Sequence, residues 1–193
     1  MKPPEDTIAT AARSVAKRLQ HLAAGPLADL RRMPIDTAAP EFWRLAARHP
    51  STIGNPSRYR EWIAIVRILA ILTEKGDPGG RRRLHDPKRP LGVVLCDGGE
   101  RDWPSNDGGV PRPAFSERRL AQLMAARGPQ RAMMLERAAR ALARSRDPGS
   151  GVDVVDVAYT LLAPEHRRRL AEPYYRRLDR AERDAEKSEQ GTE

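Results

Sequence analysis

The stretch that decides the fold is residues 57–75, which read SRYREWIAIVRILAILTEK. Its large apolar residues recur every three or four positions, which is the spacing of one wide face of an α-helix. They are Trp62, Ile65, Val66, Leu69 and Leu72. Asn55-Pro56 is a typical helix start and Gly76 is a typical stop. The pattern predicts that this is the strongest helix of the chain.

Similar apolar spacing predicts helices on both sides of this segment. They cover Ile8–Ala24, Leu27–Met33, Pro40–Arg48, Phe115–Arg127, Gln130–Arg144, Val152–Leu162 and Pro164–Glu186. Pro173 is expected to kink or divide the last of them, because proline cannot donate a backbone hydrogen bond. The predicted fold class is all-α, a compact bundle of about eight or nine helices with a long irregular loop in the middle.

Glycine and proline recur from residue 76 to residue 113, which predicts irregular loops. The apolar segment Leu91–Leu95 interrupts them and is expected to form one or two helical turns, since no second strand exists to pair with it. We therefore expect a single domain over residues 1–186. It consists of N-terminal helices in 6–75, a loop-rich connection over 76–113 and C-terminal helices in 114–186, with a disordered tail at 187–193.

Composition limits the classes of function. Only 5% of the residues are aromatic, which argues against a platform that stacks single-stranded bases. Cys96 is the single cysteine, so an internal disulfide is impossible and a reducing compartment fits. The first residues have no apolar core typical of a signal peptide, and the longest apolar run, 62–72, is too short to span a bilayer. We expect a cytoplasmic protein that needs no membrane.

The basic residues cluster in the predicted hairpin of two helices near residues 115–145. Nine arginines stand against two acidic residues between Arg112 and Arg146, a local balance of +7 in a chain whose net charge is +9. The last predicted helix instead mixes seven arginines with six acids, as a solvated face does. One-signed charge beside an apolar seam favours phosphate contact. The candidate residues in the hairpin are Arg118, Arg119, Arg137, Arg140 and Arg144.

Two further basic sites stay open to a structural interpretation. Arg31-Arg32 ends a short helix, where a cation also complements the helix dipole. The loop that holds Arg81-Arg82-Arg83 and Lys88-Arg89 is either a clamp on a nucleic-acid strand or simply a solvated loop.

Several short motifs follow one another in an order that resembles a known family. They are Arg31-Arg32, Phe42-Trp43-Arg44-Leu45, Asn55-Pro56, Leu91-Gly92 with Leu95, and Ser116-Glu117-Arg118-Arg119-Leu120 with Leu123. This order, over about Leu19 to Leu178, resembles the CasB family, the small subunit of the type I-E CRISPR surveillance complex Cascade.

The resemblance implies a non-catalytic function. Family members sit as a pair along the complex, beside the subunits that carry the guide RNA, and hold target DNA and the displaced strand of the R-loop. The expected partners are therefore DNA, the guide RNA complex, the other Cascade subunits and a second copy of the chain. The family's basic surface residues would fall on Arg119, on Arg137 and on Arg58 or Arg60, with Arg31 and Arg32 as a further pair.

Three alternatives remain at this point. An enzyme is disfavoured because His21, His49, His85 and His166 stand singly, and neither His85-Asp86 nor Asp153 with Asp156 forms a recognisable catalytic or metal set. We expect no cofactor, no metal and no small-molecule substrate. A helix-turn-helix regulator could use the 115–145 hairpin, with Gln130-Arg131 as base readers. A scaffold could instead present its arginines to acidic protein surfaces.

Overall fold

The computed structural model describes residues 5–34, 36–104, 110–163, 165 and 167–190, and that part of the chain holds nine α-helices. They are α1 (Glu5–Gln20), α2 (Ala24–Arg32), α3 (Pro40–Arg48), α4 (Tyr59–Leu72), α5 (Leu91–Asp97), α6 (Glu117–Ala125), α7 (Gly128–Ser145), α8 (Val154–Leu162) and α9 (Arg168–Gln190). The predicted all-α class is confirmed. The one β-bridge in these residues joins His85 to Val152.

Helix α4 forms the centre of the bundle. Ten of its fourteen residues are buried, and α1, α2, α7 and α8 all pack against it. A helix with a single apolar face would be covered on that face alone. Because α4 has neighbouring helices on several sides, Ile63, Ile68 and Ile71 are buried as well. The segment 57–75 was correctly predicted to form a helix, which spans Tyr59–Leu72, but its buried surface is wider than the predicted face.

Helix α5 confirms the helical prediction for Leu91–Leu95. It packs closely on α9, and a Cβ atom at Gly92 would overlap the backbone carbonyl of Leu170. The glycine therefore allows two helix backbones to approach each other. Helix α9 continues through Pro173 as one helix, so of the two predicted alternatives, a kink or a division, the division is wrong. The proline lies in the second turn of α9, where it removes a single backbone donor.

The connection over 76–113 is tied down by buried ion pairs and hydrogen bonds. Asp97 has a side chain with 0% exposure and receives the Arg89 guanidinium at 3.0 Å and the Arg177 Nε at 3.3 Å. Arg81 is buried and joins this segment to the end of α1. The C-terminal helix also extends beyond its predicted end to Gln190, and residues 191–193 of the predicted tail lie outside the described residues.

Candidate nucleic-acid interface

The α6–α7 hairpin is held together by the predicted apolar seam. Leu120 and Leu123 of α6 are buried against the rest of the core, as are Leu135, Ala138 and Leu142 of α7. Ser116 occupies the N-cap position of α6, although its side chain makes no capping hydrogen bond. Because the apolar side chains face the core, the basic side chains other than that of Arg131 lie on the remaining surface of both helices.

Arg119 of α6 and Arg137 of α7 line the same groove between the two helices. The groove has a volume of about 400 Å³, and its wall includes Gln122, Met134 and Ala141. Both arginines are exposed. Among the described residues, neither guanidinium has a hydrogen-bond or ion-pair partner. We call this feature, defined by Arg119, Arg137 and the wall between them, the α6–α7 groove.

Of the nine arginines between Arg112 and Arg146, six are exposed and have a guanidinium group without a hydrogen-bond or ion-pair partner in the part of the chain that the structure describes. They are Arg112, Arg118, Arg119, Arg127, Arg137 and Arg144. Four of them, Arg118, Arg119, Arg137 and Arg144, were singled out from the sequence, and their contact with nucleic acid stays a prediction. Arg112 and Arg127 belong to the same charge count but had not been singled out.

Arg140 differs from its neighbours because it is ion-paired. Its Nε and Nη2 atoms donate to Glu136 Oε1 at 3.0 and 2.8 Å, one helical turn away. The same carboxylate oxygen receives Nη2 of Arg67, from α4, at 2.8 Å. The Arg140 side chain keeps 44% exposure. Its positive charge is therefore partly neutralised before any ligand arrives.

The Arg31 side chain is held by hydrogen bonds to backbone carbonyls of the fold. Its Nε donates to the carbonyl of Ala70 at 2.9 Å and its Nη2 to that of Thr73 at 2.7 Å. These carbonyls belong to the last turn of α4, where no intrahelical donor remains to satisfy them. Burial lowers the pKa of Arg31, and the nearby Arg81 charge lowers it further. Arg31 lies in the last turn of α2, as predicted, but its guanidinium donates to carbonyls at the end of α4.

Arg32 is exposed and lies 3.4 Å from the carboxylate of Asp29, one turn earlier in α2. Both side chains of this pair are more than half exposed, so the interaction is weak. The two adjacent arginines thus have different environments, one bonded to backbone and one facing solvent.

Arg58 and Arg60 line a second and larger groove of about 1000 Å³, together with Arg127, Arg131 and Arg167. Arg58 donates to the carbonyl of Leu162, at the end of α8, over 3.0 Å. Arg60 is exposed and lies 3.8 Å from Asp36. Three carboxylates, those of Asp36, Glu61 and Glu165, share the lining, so this groove carries mixed charge.

Arg131 occupies a position that the helix-turn-helix interpretation assigns to a base reader. Its side chain is buried and donates to the carbonyls of Met124 and Thr160 at 3.2 and 3.4 Å. Burial lowers the pKa of Arg131, and the charges of Arg167 and Arg127 act in the same direction. A residue held in this way is not positioned to enter a DNA groove, which leaves Gln130 alone at the start of α7.

Several of the residues considered for catalysis make contacts within the fold. Asp156 is buried, accepts the Leu91 backbone N–H at 3.1 Å and pairs with Arg169 at 3.1 Å. Burial raises the pKa of Asp156, with Asp153 adding to the shift. His49 lies 2.9 Å from the Ser14 hydroxyl, and His85 lies 3.5 Å from Asp153. His166 lies outside the described residues.

The single cysteine is shielded from solvent. Burial raises the pKa of the Cys96 thiol to about 12, and the neighbouring Asp97 carboxylate contributes in the same direction. Within the described ranges, no three histidine, cysteine, aspartate or glutamate side chains come together as a metal site. No helix in those ranges has the length and apolar character needed to cross a membrane.

The family model of the CRISPR-associated protein Cse2 matches residues 26–175. The chain belongs to the Cse2 family. Cse2, also called CasB, is the small subunit of the type I-E Cascade complex, a structural and generally non-catalytic subunit that associates with the other Cascade subunits. No curated protein and no solved structure is significantly similar to the chain. The Cse2 match begins inside α2, so it does not include α1.

Proposed function

We propose that this Cse2 subunit holds target DNA and the displaced strand of the R-loop through sequence-independent phosphate contacts made in the α6–α7 groove. The observation that carries the proposal is the placement of Arg119 and Arg137 on one groove, both exposed and without a partner among the described residues. A guanidinium binds phosphate oxygens two at a time and stays charged at any physiological pH. Two such groups on one surface suit a sugar-phosphate backbone.

Such contacts would matter energetically in Cascade. Exchanging a DNA duplex for an RNA–DNA hybrid is nearly balanced in free energy, so contacts to the backbone can tip the exchange. Each neutralised phosphate contributes a salt-dependent increment that carries no sequence preference. This indifference is what a guide-directed complex requires of the subunit, because base pairing with the guide RNA reads the sequence.

The other candidate arginines can be ranked by their exposure and by the partners that they already have. Arg118 and Arg144 are exposed and extend the basic surface beyond the groove. Arg140 is expected to contribute less, because Glu136 already neutralises part of its charge. Arg32, Arg58 and Arg60 are proposed as peripheral contacts. Arg31 is left out of the contact set because backbone carbonyls already occupy its donors.

The partners follow from the same proposal. The subunit would lie as one of a pair beside the guide RNA complex, with the α6–α7 groove turned towards the DNA. A sequence-specific regulator is the weaker candidate, since the base-reading role of Arg131 is inconsistent with its burial.

The test uses the complete Cascade complex assembled around a guide RNA. The double variant Arg119→Ala/Arg137→Ala should release the displaced strand faster than wild type, and by a similar factor on targets of unrelated sequence. Its matched control is Arg176→Ala/Arg180→Ala, which removes the same charge from α9, where Glu172 and Asp184 pair with those arginines. The control should retain the strand as wild type does. Wild-type retention in the groove variant would refute the site assignment.

A further inference from the structure

A second basic groove lies between α1 and the segment that follows Arg82. It has a volume of about 430 Å³, with Ala16 and Leu84 at its apolar wall. Five side chains that carry or can acquire positive charge line it. They are Arg13, Lys17, His21, Arg83 and His85. We call it the α1 groove, and it shares no lining residue with the α6–α7 groove.

The basic side chains that α1 contributes form a row along one face of the helix. Arg13 and Lys17 are four residues apart, so they lie on one face of α1, separated by about 6 Å along its axis. His21 continues the row just after the helix ends at Gln20. The core-facing side of α1 is apolar and buried, with Ala12, Val15 and Leu19 at 0% exposure. The basic row therefore occupies the solvent side of an anchored helix.

A buried arginine positions the opposite wall. Arg81 Nη1 donates to the carbonyls of Leu19 at 3.2 Å and Leu22 at 2.6 Å, and Gln20 Nε2 donates in return to the Arg81 carbonyl at 3.1 Å. On the far side, the Leu84 carbonyl receives the Val152 N–H at 2.8 Å. Arg83 lies between these two fixed points. The segment around Arg83 is thus held beside α1 on both flanks.

The three consecutive arginines of this loop have three different environments. Arg81 turns inward, and Arg82 donates to the carbonyl of Pro148 at 2.6 Å. Arg83 alone lines the α1 groove. The two interpretations left open for this loop, a clamp on a nucleic-acid strand or a solvated surface, therefore have to be judged separately for each arginine. Of these three arginines, only Arg83 is placed to act as a clamp.

The charge in the α1 groove is not compensated within the described chain. Arg13, Lys17 and Arg83 are exposed and have no hydrogen-bond or ion-pair partner among those residues. Arg18, the neighbour of Lys17, instead turns to Glu41 at 2.7 Å. The Asp153 carboxylate lies 3.5 Å from His85 Nδ1 and already accepts the Val155 N–H at 2.9 Å.

We propose that the α1 groove binds the phosphate backbone of a single nucleic-acid strand, as a second contact surface separate from the α6–α7 groove. The step of about 6 Å between successive cations on α1 is comparable to the separation of neighbouring phosphates along a strand. Arg83 faces that row from the other wall, so a strand in the groove meets positive charge on both sides. Half of this surface comes from α1, which lies outside the region that matches the Cse2 family.

The test is a lysine footprint on the full chain. The chain has only five lysines, and the protein is treated with an amine-acetylating reagent with and without a mixed-sequence single-stranded DNA oligonucleotide. With the oligonucleotide at about ten times its dissociation constant, Lys17 should react about tenfold more slowly, because the site is then free about a tenth of the time. Lys75 and Lys187, which are exposed elsewhere, should react at unchanged rates.

Two variants separate this proposal from the proposed function. Arg13→Ala/Arg83→Ala should abolish the protection of Lys17, whereas Arg119→Ala/Arg137→Ala should leave it in place. Equal reactivity of Lys17 with and without oligonucleotide would overturn the proposal. So would protection by polyglutamate but not by DNA, which would assign the groove to an acidic protein segment instead.

Discussion

At the C-terminal ends of α1 and α4 arginine side chains turn inward onto backbone carbonyls, whereas in the α6–α7 groove they remain exposed. Arg81 covers the end of α1, while Arg31 and Arg146 cover that of α4, with Arg146 Nη2 donating to the Leu72 carbonyl at 2.8 Å. The Arg119 and Arg137 guanidinium groups make no such hydrogen bond to any residue that the structure describes. We infer that the backbone acceptors within reach of a guanidinium, more than the local density of arginine, decide whether that guanidinium is available to a ligand.

We expect the largest loss of stability at Arg81. Replacing it by alanine leaves the carbonyls of Leu19, Leu22 and Gly76 without their donor inside the fold, so we expect Arg81→Ala to lower the free energy of unfolding by about 3 kcal/mol. Urea denaturation followed by circular dichroism measures this. Arg83→Ala is the matched control two residues away, and its unfolding midpoint should equal that of wild type. A stability loss of similar size in both variants would erase the distinction between inward and exposed arginines.

A smaller loss of stability is expected at Arg31, which is only half-buried. Arg31→Ala should lower the free energy of unfolding by about 2 kcal/mol, because the carbonyls of Ala70 and Thr73 lose a charged donor. The adjacent Arg32→Ala, on an exposed side chain, provides the control and should unfold as wild type does. If Arg31→Ala retained wild-type stability and instead lost DNA binding, Arg31 would belong to the contact set.

The opposite result is expected in the groove. Arg119→Ala/Arg137→Ala should weaken DNA binding about tenfold at constant salt, since two phosphate contacts are removed. Its unfolding midpoint should stay unchanged, because neither side chain bonds to the described part of the chain. Fluorescence anisotropy on two unrelated DNA sequences, combined with thermal unfolding of each variant, separates the two effects. A drop in stability would show that these arginines support the fold.

The smallest effect distinguishes two arginines on the same helix. Arg144→Ala should weaken DNA binding by about threefold, and Arg140→Ala should weaken it less. The reason is that Glu136 already holds the Arg140 guanidinium at 2.8 Å. The same anisotropy measurement, made on both single variants in parallel, provides the comparison. A larger loss in Arg140→Ala would mean that the pair with Glu136 opens when DNA binds.

Much of the fold was predictable because it follows from local patterns. The bounds of α3 agree with the prediction, since Pro40 fixes the start and the apolar spacing ends at Arg48. Pro173 was expected to kink or divide the last helix, and the helix is not divided, since packing of α9 on α5 stabilises a helix that loses one hydrogen bond at proline. Local sequence carries no information about that tertiary contact.

The candidate site was predictable only in part. The shortage of acids near Arg119 and Arg137 is visible in the sequence, and both lie exposed in the structure. The inward turn of Arg31 and Arg131 was not visible, because their acceptors, apart from the carbonyl of Met124, lie 29 to 43 residues away along the chain. The α1 groove was also missed, since it joins Lys17 to Arg83 across two distant segments.

The most direct test of the account is the salt dependence of duplex DNA binding. In a plot of log affinity against log salt concentration, Arg119→Ala/Arg137→Ala should reduce the magnitude of the slope by about 1.8, which corresponds to two phosphates. Arg176→Ala/Arg180→Ala should leave the slope at its wild-type value. A wild-type slope in the groove variant, or an equal reduction in both variants, would contradict the claim that exposed, unpaired arginines of the α6–α7 groove contact the DNA backbone.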